Sequence, residues 1–150
     1  MRDFNSGTMY DYNTRFVAEN TIAVFSFPLP SPTNYSLLAN LVTILSHVYH
    51  RVIIVTGNFV KQLPFLMDDL RLSNKKRVLV YDIGCKLPQR SDKTPLFKKL
   101  FIYIKIHIGF KVAIIRLHSD FRTALLFIGL PHMFPIALIL KLLRKKIVVY

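Results

Sequence analysis

The chain has 150 residues, the size of one domain, and folding at that length removes roughly 68–70% of the unfolded surface from water. Its 52% apolar content and mean hydropathy of +0.36 are high for a soluble domain, and either strands buried on both faces or contact with a membrane would account for them. A single cysteine, Cys85, excludes an internal disulfide framework and fits a reducing compartment.

Residues 1–20, "MRDFNSGTMYDYNTRFVAEN", are polar and mixed in charge. They lack the continuous apolar segment of a signal peptide and are expected to form a poorly ordered tail ahead of a domain at 21–150. "TIAVFSF" (Thr21–Phe27) predicts a strand, broken by "PLPSP". In "TNYSLLANLVTILSHVY" the apolar residues Leu37, Leu38, Leu41, Ile44, Leu45 and Val48 recur at helical spacing, with Thr33 or Asn34 placed as the cap. "RVIIVTGN" predicts a buried strand, 59–72 is part helix and part loop, and "RVLVYDIG" (Arg77–Gly84) predicts a third strand. After the polar loop "KLPQRSDKTP" comes a long helix at about Leu96–Leu117. "TALLFIG", "FPIALILKLL" and "KIVVY" then read as strand, helix and strand. Strands that alternate with helices and are apolar on both sides predict an α/β fold. The expected form is a Rossmann-like three-layer sandwich, with about five parallel strands in the order 3-2-1-4-5.

The net charge of +13 is unevenly spread: residues 1–50 sum to −1 and residues 51–150 to +14. Such asymmetry points to an anionic partner. Arg51, Lys75, Lys76, Arg77, Arg122, Lys145 and Lys146 all precede strands, so a parallel sheet puts them on one rim, where helices end. Cations there complement helix dipoles at ~0.3–1 kcal/mol each, or would lie on anionic lipid. On the long helix, Lys98, Lys105, Gly109 and Arg116 fall on one line. Lys98, Lys105 and Arg116 are therefore candidate membrane contacts, on a helix that either packs in the core behind a solvated stripe or lies in the bilayer interface. It is a poor transmembrane span, because Lys105 and Lys111 would each cost ~2.5–3.5 kcal/mol near the bilayer centre.

No motif identifies a reaction. The glycines at 7, 57, 84, 109 and 129 form neither a dinucleotide fingerprint nor a Walker loop, and there is no nucleophile elbow. His47 and His50 lie three apart without cysteine or carboxylate partners, so no metal site is expected. The sequon at Asn34–Ser36 reads as part of a helix cap. Small and polar residues remain in the loops after the strands: "PLPSPTNY", "GNF", "GCK" and "GLPH", at the edge where open parallel sheets bind ligands.

The stretches "FSFPLPSPTNYSLLANLVTILSHVYHRVIIVTGN" and "LLFIGLPHMFPIALILKLLRKKIVVY" resemble the N-terminal half of family 4 glycosyltransferases, which have the B-type two-domain fold. The likeness covers the pattern of residues 21–150. It implies sugar transfer from a nucleotide-sugar to an acceptor, often lipid-linked, at the inner membrane face. By that resemblance the chain binds acceptor through Pro30, Ser31, Asn34, Gly57, Asn58, Gly129 and His132. Relatives often carry a histidine at or near the end of the fourth strand; here Gly129 stands there, with His132 close by. The donor-binding second half, with its spaced glutamate pair, is not in these 150 residues. The expectation is accordingly a chain without catalytic residues or cofactor of its own, with the nucleotide-sugar belonging to the complete enzyme. Its expected location is the cytoplasm or the periphery of the inner membrane face, and its partners are the missing domain and an anionic membrane. The alternative is a non-catalytic membrane-docking or acceptor-binding subunit of a split glycosyltransferase. Nucleic-acid binding ranks last, because most aromatics lie in apolar runs and not among the basic residues.

Overall fold

A computed structural model describes residues 18, 20–28, 32–57, 77–85, 95–127 and 130–150, with the side chains of 32–35 and 130 outside that description. The elements are β1 (Thr21–Ser26), α1 (Pro32–Val48), β2 (Arg51–Thr56), β3 (Val78–Asp82), α2 (Leu96–Leu117), β4 (Thr123–Phe127), α3 (Leu130–Leu142) and β5 (Lys146–Val149). The five strands form one all-parallel sheet in the order β3-β2-β1-β4-β5, as the alternation of strand and helix predicts. The architecture is a Rossmann-like α/β fold.

The central strands β1, β2 and β4 read as unbroken apolar runs because both faces of the sheet are covered there. The edge strands β3 and β5, apolar in sequence as well, are partly exposed, with Leu79, Val148 and Val149 open to solvent. Ile22 and Val24 of β1 point to the side where α1 packs with Leu38, Ala39 and Val42. Ala23 and Phe25 point the other way, onto Ile106, Phe110 and Ala113 of α2 and Met133, Ile136 and Leu140 of α3. Phe25 and Phe110 are fully buried, each contributing about 1.5–3 kcal/mol, and their rings meet at 6.2 Å. Ahead of β1, the carbonyls of Ala18 and Asn20 accept hydrogen bonds from the amides of Arg122 and Arg51 (3.2 and 3.4 Å).

Several boundaries differ from the sequence expectation. Helix α1 begins at Pro32, so Thr33 and Asn34 fall in its first turn and neither caps it. Proline suits that first position, since its missing N–H has no helical partner there. Strand β3 stops at Asp82, whose carboxylate accepts the Gly84 amide at 2.7 Å, and Gly84 turns the chain with φ 67°. Helix α3 starts four residues before Phe134 and carries Pro135 inside it. It ends in a Schellman pattern: the Lys145 amide donates to Leu140 and that of Arg144 to Lys141, both at 2.9 Å, with Arg144 at φ 55°.

Candidate functional site

Ligands of such sheets bind beyond the carboxyl ends of the strands, where the strand order reverses. Here that point lies between β1 and β4, because from β1 the chain first moves outward to β2 and β3 and then returns to the other side. Beyond β1, the ring of Phe27 turns toward the α2–α3 layer, where it lies 6.3 Å from the core ring of Phe110 and meets three further rings. Tyr103 stacks on it with centroids 5.6 Å apart, His132 lies at 5.5 Å and His107 at 6.2 Å. Tyr103 and His132 are themselves 5.4 Å apart.

Helical geometry assembles the group. Tyr103 and His107 are four residues apart on α2 and share one side of it. His132 sits in the first turn of α3, beside them and exposed. Tyr103 and His107 are half-buried, and the His107 Nδ1 atom is buried without a hydrogen-bond partner among the described residues. Burial pushes the His107 pKa below its usual value, and the charges of Lys111 and His132 push the same way. The result is an aromatic wall with one exposed imidazole at its mouth.

On the α1 side of the same edge, each of the first three strands ends in a polar residue: Ser26, Thr56 and Asp82. Thr56 and Asp82 are paired in register, and the Ser26 hydroxyl donates to the Phe27 carbonyl at 3.2 Å. Thr56 is fully buried and its hydroxyl has no hydrogen-bond partner among the described residues. The sequence signal for this row is a polar residue closing each apolar run.

Of the expected acceptor residues, Pro30, Ser31, Asn58 and Gly129 lie outside the described residues, as does the side chain of Asn34. The structure describes two at this edge, Gly57 and His132. Gly57 is buried where three chain segments converge, and a Cβ there would come within 2.4 Å of the Cys85 carbonyl oxygen and 2.9 Å of Pro28. Close backbone approach therefore requires glycine. Cys85 itself is buried; burial raises its thiol pKa, nearby Lys105 lowers it and Asp82 raises it. Among the described residues no cluster of three or more metal-ligating side chains occurs, and His47 and His50 are exposed.

The candidate membrane contacts occupy one flank of α2. Lys98, Lys105 and Arg116 are exposed, but Gly109 between them packs on Ile83, and the Arg116 Nη1 donates to the Tyr81 hydroxyl at 3.3 Å. The line thus runs along the β3 side of the helix, and the side of α2 farthest from the sheet is apolar. On the opposite rim, Lys145 donates to the carbonyls of His118, at the end of α2, and Phe121, and lies over the Phe121 ring. That is the dipole-complementing role open to cations before strands. Lys75 and Lys76 fall outside the described residues. Among the described residues no helix is long and apolar enough to cross a membrane. Comparison with protein-family models, with curated proteins and with solved structures gives no match for this chain.

Proposed function

We propose that the crevice beyond β1 and β4 binds the sugar of an acceptor, and that the chain is the acceptor-side half of a B-type glycosyltransferase. One observation carries the reading: Phe27, Tyr103 and His132 converge at the point where the strand order reverses. Aromatic faces suit the apolar C–H face of a pyranose ring, and an exposed imidazole can hydrogen-bond its hydroxyls. Family resemblance in the sequence supplies the reaction class. The nucleotide-sugar would be held by a second domain.

A second reading, a non-catalytic acceptor-binding subunit, draws on the low share of acids in the sequence, 8 against 21 basic residues. Among the described residues the carboxylates are Asp82, bound to the Gly84 amide, and Asp120, three residues beyond α2. Both readings give this chain the same task, which is to hold the acceptor. Ligand-observed NMR against mono- and disaccharides, free and linked to polyprenyl phosphate, tests it. We expect Tyr103→Ala or His132→Ala to weaken binding about tenfold, the loss of one ring contact and its hydrogen bond. Absence of binding across the whole panel would refute the reading.

A further inference from the structure

We infer that the outer face of the α2–α3 layer is a docking surface for an anionic lipid bilayer, entered by an apolar ridge on α2. Phe97, Phe101, Ile104, Ile108, Val112 and Ile115 are spaced by 4, 3, 4, 4 and 3 residues, and every one is exposed. At 1.5 Å per residue the ridge is about 27 Å long. The core side of the same helix, Ile106, Phe110, Ala113 and Ile114, is already buried on the sheet. The ridge is therefore surplus to folding. Helix α3 packs beside α2 and adds Phe134, Leu138 and Leu142, exposed at four-residue intervals. An exposed apolar strip of this extent marks an interaction surface.

Charge selects the occupant. Lys98 and Lys105 border the ridge on the β3 side and Lys111 on the other, and neither helix contains an acidic residue. A second copy would bring these cations against their own equivalents, whereas an anionic membrane complements them. Single-stranded nucleic acid is also anionic, but it needs ring faces along the groove, and four of the six ridge residues are aliphatic. A helix too charged to span, with an apolar ridge between lysines, suits the plane of the interface, its lysines reaching up to the headgroups. Phe97, at 85% the most exposed ridge residue, and Phe101, at 68%, stand in the first two turns of α2, at the edge where the aromatic cluster lies. An acceptor carried by a lipid would meet the crevice there.

The test is co-sedimentation of the full chain with vesicles of phosphatidylcholine, alone and mixed with phosphatidylglycerol. The mixed vesicles should bind at low salt. Phe97→Ser with Phe101→Ser should weaken that binding by about tenfold or more without changing the thermal melt, both side chains being exposed. Lys98→Gln and Lys105→Gln should each cost roughly fivefold on mixed vesicles and nothing on phosphatidylcholine alone. The proposal fails if the wild type stays in the supernatant, or if the Phe97/Phe101 variant binds equally well. It also fails if light scattering shows a dimer that this variant converts to monomer, or if an oligonucleotide binds tighter than the vesicles through the same residues. His132→Ala should leave vesicle binding unchanged and the Phe97/Phe101 variant should leave soluble-sugar binding unchanged, so the two readings fail separately.

Discussion

His107 is the residue at which packing and chemistry conflict. Its ring lies beside Phe27, its Nδ1 is buried without a partner among the described residues, and Lys111 and His132 both oppose a positive charge on it. A free imidazole titrates near pH 6.5, and here burial holds the folded-state value lower. The unfolded chain therefore binds a proton more readily than the folded one as the pH falls through that range. Stability should be greatest above about pH 6.5 and should decline below it. Replacing His107 with Leu removes the proton site and leaves an apolar side chain in the aromatic wall. Urea midpoints at about pH 7.5 and about pH 5 should move closer together in that variant than in the wild type. An unchanged difference would show that the acid sensitivity comes from elsewhere. Sequence alone gives little warning of this residue: the four-residue spacing to Tyr103 is visible, but Phe27 and His132 are remote in the chain and join it only through the fold.

At the scale of elements, the seam between α2 and β3 shows how local sequence meets tertiary packing. Gly109 is a poor helix former, costing about 1 kcal/mol against alanine, yet it lies in the middle of the longest helix. A Cβ there would reach the Ile83 Cβ at 2.9 Å, so glycine lets α2 lie against the end of β3. Gly109→Val should destabilise the fold by about 1–3 kcal/mol in a denaturant melt, through overpacking at Ile83. Gly109→Ala should cost less, since better helix propensity offsets part of the clash. The existence and order of the elements were legible because two-sided burial writes itself as apolar runs, and α2 spans the range its spacing predicts. The start of α3 was not, because Pro135 reads as a boundary while the fold tolerates it inside. Nor was the outward side of α2. A helix apolar on nearly every side does not reveal which side its sheet takes, and the line through Lys98, Lys105 and Arg116 was the visible cue although the ridge lies beside it. The carboxyl edge between β1 and β4 was legible from the order of the strands, but the cluster of Phe27, Tyr103, His107 and His132 beside it was not.

For the molecule as a whole, the question is whether its +13 charge acts as a total or through its placement. Two groups of exposed cations can be compared. Lys98 and Lys105 stand on α2 beside the ridge, whereas Arg77 and Lys146 stand at the starts of β3 and β5, in the sheet layer. Layers in such folds are separated by about 10 Å, which exceeds the Debye length of about 8 Å at physiological salt. A bilayer resting on the helix layer should therefore feel the first pair strongly and the second pair weakly. Reversing either pair to glutamate changes the net charge equally, from +13 to +9 (two residues, two units each). If total charge governed docking, the two double variants would behave alike. We expect Lys98→Glu with Lys105→Glu to abolish most binding to mixed vesicles, and Arg77→Glu with Lys146→Glu to change it by no more than about threefold at physiological salt. Lowering the ionic strength lengthens the screening distance to about 30 Å at 0.01 M, so the second variant should lose binding only there. Equal losses at physiological salt would assign the attraction to the whole molecule's field and remove the charge argument for the α2–α3 face.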